Sequence, residues 1–150
     1  MRIWQLSSLA LYPADHVILL GLCDLSLERR GVPAGKAVFV VAAVILCQYG
    51  KNWLAVPHRL LPVASGILMY LTVSWLFYGT GRKKLLLLVV YFGLMLLCES
   101  ATYLIAERLY PPVGTFTNDP GAFVVGACSR VLAVALVSVV GRRVRGGGVT

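Results

Sequence analysis

Long apolar runs separated by short polar, mostly basic segments set the pattern of this chain. A hydrocarbon layer is crossed by roughly 20 helical residues, so charge-poor stretches near that length are the units the pattern defines. Five are present, at 5–27, 34–53, 60–79, 85–106 and 121–141. The third, LLPVASGILMYLTVSWLFYG, has no ionisable side chain, and the fourth and fifth each carry one internal charge, Glu99 and Arg130. The second is purely apolar only over AVFVVAAVILCQYG. Lys36 and Lys51 extend it, because a lysine stem can lie along apolar surface while its ammonium reaches water. The first is interrupted by Pro13, Asp15, His16 and Asp24, and it reads as spanning rather than lying at the interface. The expected fold is an all-α polytopic membrane bundle of five transmembrane helices over residues 1–145. Residues 146–150, GGGVT, are expected to be a flexible tail. LYPPVGTFTNDP, at 109–120, carries Pro, Gly and Asn-Asp-Pro turn chemistry and reads as a loop.

Composition strengthens this picture. The chain has 150 residues, 59% of them hydrophobic and 13% charged, against roughly 25% charged in soluble domains. Soluble enzyme classes are disfavoured. The net charge of +8 would suggest nucleic acid in a polar protein, but the cations cluster between apolar runs, which is a topology signal. Arg29, Arg30, Lys36, Arg82, Lys83, Lys84, Arg142, Arg143 and Arg145 fall on one side of an alternating five-span path, against four cations on the other. That bias predicts an outside N-terminus, a cytoplasmic C-terminus and a multi-pass protein of the plasma membrane. Arg29, Arg30, Arg82, Lys83, Lys84, Arg142 and Arg143 are its cytoplasmic anchors.

Charge inside a bilayer is costly, so each intramembrane ionisable group is read as paired or functional. From the outer ends of their spans, at ~1.5 Å per residue, Glu99 lies ~10 Å deep and Arg130 ~14 Å deep, close enough in depth to meet. They read either as an ion pair fixing how spans four and five pack, or as a gating element. Gly126 and Ala122 share the face of Arg130 and would let a neighbouring helix approach closely. Asp15 and His16 form a candidate polar pocket, and His58 reads as solvated. Cys23, Cys47, Cys98 and Cys128 show no metal-ligand spacing and read as small buried hydrophobes. No catalytic, nucleotide-binding or metal motif is found in the sequence, so neither a cofactor nor a metal is expected.

The stretch from Trp75 to Tyr110 resembles the membrane sensor region of GHKL-type histidine kinases, the group that includes the Agr-type peptide-pheromone receptors. Phe77, Gly79, Arg82, Lys83, Lys84, Cys98 and Glu99 carry the resemblance, followed by Ser129-Arg130 and Arg142-Arg143. The first two spans agree with the family only in character. The resemblance implies a sensor for an extracellular peptide or small ligand, a homodimer, and a cytoplasmic signalling partner in a two-component system. The family's phosphoacceptor and ATP-binding domains have no counterpart in these 150 residues, so the chain is expected to be either a truncated receptor or a stand-alone sensor module, and not itself an enzyme. Two other classes fit the residues. One is a small transporter or transport subunit using Asp15, His16 and Glu99, although only Pro13 breaks a span interior where broken helices would be expected. The other is a passive assembly partner in which Glu99 and Arg130 serve packing alone.

Overall fold

The computed structural model describes residues 11–53, 60–109 and 120–146. Among these residues the fold is all helical, with no strand: α1 (Leu11–Asp24), α2 (Ala34–Trp53), α3 (Leu61–Leu76), α4 (Gly81–Leu109) and α5 (Pro120–Gly146). His58 and all but the two ends of the 109–120 segment lie outside the described residues. α4 and α5 are long and apolar enough to cross a membrane, whereas the apolar stretches at 34–50 and 62–76 are shorter. Only 28% of the most apolar stretch of α4 and 17% of that of α5 is buried. A core helix of a water-soluble protein would bury most of such a stretch instead of displaying it.

Local chemistry explains where the helices depart from the apolar runs. The 34–53 run and α2 coincide. α3 begins with a proline in its first turn, where the missing N–H had no helical partner in any case. It ends three residues before the apolar run does, because Phe77 is extended (φ −124°, ψ 145°) and Gly79 takes φ +140°. A Cβ at Gly79 would also stand 2.9 Å from Leu27 Cδ2, so that position requires glycine both conformationally and sterically. α4 and α5 run beyond 85–106 and 121–141 into their basic flanks, since Arg and Lys are good helix formers that a hydropathy pattern scores as breaks. Gly146, expected in the tail, is the last residue of α5.

The chain divides into two units, Leu19–Val90 and Met1–Ile18 with Tyr91–Thr150. In the Leu19–Val90 unit α2 packs against α3. The α1–α2 loop pairs with the end of α3 and the residues that follow it: Arg29 and Phe77 form an isolated antiparallel bridge, Arg30 N–H donates to Leu76 O (2.8 Å), and Tyr78 N–H donates to Glu28 O (2.8 Å). The buried residues include Leu19, Cys23, Met69, Val73 and Phe77, with Leu87 and Leu88 of α4. In the other unit the buried face of α4 continues as Tyr91, Met95 and Cys98, at helical spacing. Opposite chemistry marks α5, whose buried stripe, Val125, Gly126, Ser129 and Ala133, is made mostly of small residues. The cysteine reading is corrected in part. Cys23 and Cys98 are buried, but Cys47 and Cys128 are exposed on the outer faces of their helices, where an apolar residue needs no protein cover if lipid surrounds it.

Candidate functional site

The charged residues of the unit formed by Met1–Ile18 and Tyr91–Thr150 converge on one guanidinium. Gly126 brings α1 close, since a Cβ there would stand 2.9 Å from Leu11 Cδ1. One helical turn further along α5, Arg130 meets Asp15 of α1: Nε donates to Oδ1 at 2.9 Å and Nη2 to Oδ2 at 3.4 Å. This is the two-pronged arrangement that suits a planar guanidinium and a carboxylate. The third nitrogen, Nη1, donates to Glu99 Oε1 of α4 at 2.5 Å. Nη1 also lies 3.2 Å from Ser129 Oγ and 3.4 Å from Gly126 O. Ser129 Oγ in turn donates to Gly126 O at 2.8 Å, so the hydroxyl and the carbonyl form a fixed floor under the guanidinium.

The two carboxylates are held unequally. Asp15 has a side chain 10% exposed and gives both oxygens to Arg130. Glu99 contacts Arg130 through one oxygen and remains 45% exposed. Two carboxylates on one guanidinium leave an excess of one negative charge when all three are ionised. In a medium of low dielectric such an excess invites a proton or a cation, or displacement of the less firmly held carboxylate.

The expected pair, Glu99 and Arg130, is thus brought together, and Asp15 joins it. Asp15 as the third partner was missed, although a signal existed. Counted from Gln5 at ~1.5 Å per residue, Asp15 lies ~15 Å deep, the same depth as Arg130. Asp15 turns to Arg130, while the adjacent His16 finds its partner within its own helix. His16 is buried, and its ring Nδ1 lies 3.0 Å from the Tyr12 carbonyl of its own helix. Its Nε2 has no hydrogen-bond partner among the described residues.

The anchors occupy helix ends and the α1–α2 loop. Arg29 makes a two-pronged pair with Asp24. Arg30 lies over the Tyr78 ring, 4.9 Å from its centre. Arg82, Lys83 and Lys84 form the first turn of α4, and Lys84 is buried, its Nζ 3.4 Å from Ser74 O, rather than extended toward water. Arg142 precedes the last turn of α5, and Arg143 lies in it with Arg145, where cations suit the negative end of the helix dipole. No cluster with the composition of a metal site occurs among the described residues. Comparison with family models, with curated proteins and with solved structures yields no match. The GHKL-type resemblance accordingly stands on its motif residues alone.

Proposed function

We propose that the chain is a five-span protein of the plasma membrane that works as the input module of a signalling system. In this reading it binds an extracellular or membrane-partitioned ligand, a peptide or small molecule carrying an anionic group, at the Asp15–Arg130–Glu99 cluster. The observation that supports it most is the unequal grip on the two carboxylates. Asp15 anchors Arg130, while Glu99 holds one nitrogen from a half-exposed position. A ligand carboxylate that competes for that nitrogen would release α4 from α5 without stripping Arg130 of its charge partner. Such a ligand shifts a two-state packing equilibrium by its differential affinity for the two states, and α5 carries the change to its basic end. The GHKL-type resemblance agrees with this role and supplies the idea of a homodimer and a cytoplasmic partner.

The test is disulfide cross-linking between Met95→Cys of α4 and Ala133→Cys of α5, buried positions about one helical turn from Glu99 and Arg130, in a chain whose native cysteines are replaced by alanine. It is run in native membranes with and without conditioned medium of the producing cells. The expected result is a change in cross-linking rate that Glu99→Gln abolishes and Glu107→Gln preserves. A rate indifferent to medium and to both substitutions leaves the cluster a packing element and rejects the sensor reading in favour of an assembly partner.

A second reading, a small transporter or transport subunit, is favoured by one observation: buried His16 keeps an unpartnered ring nitrogen next in sequence to Asp15. Substrate uptake into vesicles that disappears in Asp15→Asn and in His16→Gln would reverse the ranking.

A further inference from the structure

The Leu19–Val90 unit contains a second concentration of polar chemistry that the charge cluster does not use. In the α1–α2 loop, Arg29 and Arg30 stand side by side with different obligations. Arg29 spends both prongs of its guanidinium on Asp24. Arg30 has no carboxylate partner among the described residues. Its Nε leans on Phe77 O at 3.4 Å and its plane lies on the Tyr78 ring, so it is oriented without being neutralised. An oriented, uncompensated guanidinium at a surface is an anion receptor.

The surroundings restrict which anion. Below Arg29 and Arg30 opens a cavity of about 500 Å³. Its walls are Leu20 of α1, Val38, Val41 and Ile45 of α2, and Leu76 and Phe77 at the end of α3. A second apolar groove of about 510 Å³ also reaches Arg30, between Val40 and Val44 of α2 and Leu71 and Trp75 of α3. Both grooves therefore run along α2 and share one cation. A free phosphate or nucleotide would leave these walls exposed, and a neutral hydrophobe would leave Arg30 unused. A ligand with one anionic head and two apolar arms uses both.

We propose that this unit is a specific binding site for an anionic phospholipid, its phosphate on Arg30 and its two acyl chains in the grooves flanking α2. Basic pockets between membrane helices bind anionic headgroups in this manner, at about 1 kcal/mol per basic residue near the surface, equivalent to roughly fivefold in affinity. The proposal rests on the membrane reading above but not on the sensor role of the Asp15–Arg130–Glu99 cluster.

The experiment is native mass spectrometry of the purified full chain, released from detergent micelles holding equal amounts of dioleoyl phosphatidylglycerol and dioleoyl phosphatidylcholine. The expected result is retention of the glycerol lipid about fivefold above the choline lipid. In Arg30→Gln the ratio falls toward one, and in Arg143→Gln, which removes an exposed cation of α5, it is unchanged. Val41→Trp, which keeps both arginines and fills the first groove, lowers retention as well and serves if Arg30→Gln does not fold. A wild-type ratio near one overturns the proposal, as does a preference that survives both Arg30→Gln and Val41→Trp. Glu99→Gln leaves the ratio unchanged, so failure of the sensor reading and failure of this site are separately visible.

Discussion

Arg130 and Arg29 each grip an aspartate through two nitrogens, in settings that differ in almost every other respect. The Arg130 and Asp15 side chains are 16% and 10% exposed and their residues lie 115 positions apart. The Arg29 and Asp24 side chains are 68% and 23% exposed and lie five positions apart. The local pair closes a short loop whose Arg29 end the bridge to Phe77 already holds. The distant pair joins α1 to α5 and, through Glu99, to α4. Exposed pairs are worth little because water and salt compete with them. Buried pairs have a small net worth and a large cost of disruption, because the surviving partner is left charged without water. The same contact is therefore a detail in one place and a constraint on assembly in the other.

The most damaging way to break the contrast is Arg130→Ala, which strands two carboxylates at once. A loss of about 3–5 kcal/mol is expected, read as a lowered thermal midpoint in detergent and as poor membrane accumulation. Arg130→Lys recovers only part, since an ammonium cannot fork to two carboxylates. In the loop region the sensitive position is not the ion pair but Gly79. Gly79→Ala forces a side chain into φ +140° against Leu27, at a cost of about 1–3 kcal/mol. Glu99→Gln is milder, about 1 kcal/mol, because the amide oxygen still accepts from Arg130 and the Asp15 pair persists. Its main effect should appear in the cross-linking response rather than in the thermal midpoint. Smallest is Asp24→Asn, about 0.2–1 kcal/mol, which should vanish in 1 M salt, where the Debye length is about 3 Å. If Asp24→Asn and Arg130→Ala shift the midpoint equally, the distinction between the two regions is wrong.

What could be read beforehand follows from what each residue reports. α2 matched its apolar run because its flanking lysines mark both ends, whereas α3 stopped early because Gly79 and the pairing of Phe77 with the α1–α2 loop are tertiary events. The flanks of α4 and α5 look polar in a hydropathy profile and are nonetheless helical, since helix formation does not require apolar side chains. Glu99 and Arg130 were legible as a pair from depth alone. Asp15 was hidden by its neighbour, as the adjacent His16 suggested a pocket within one helix and drew attention from the distant partner. The exposure of Cys47 and Cys128 was also out of reach, because in a helix apolar on every face the pattern does not say which side is covered.

The order in which the cluster's members are made has a consequence of its own. Synthesis runs from the N-terminus, so Asp15 and Glu99 are in place before Arg130, which follows Glu99 by 31 residues. Until then the two acids lack the guanidinium that joins them in the finished protein. A ribosome that stalls before residue 130 thus releases a product chemically distinct from the finished one, bearing uncompensated acids where the finished protein has a closed network. Cellular surveillance for unassembled helices would have a built-in mark to read, and its disappearance would coincide with completion of α5.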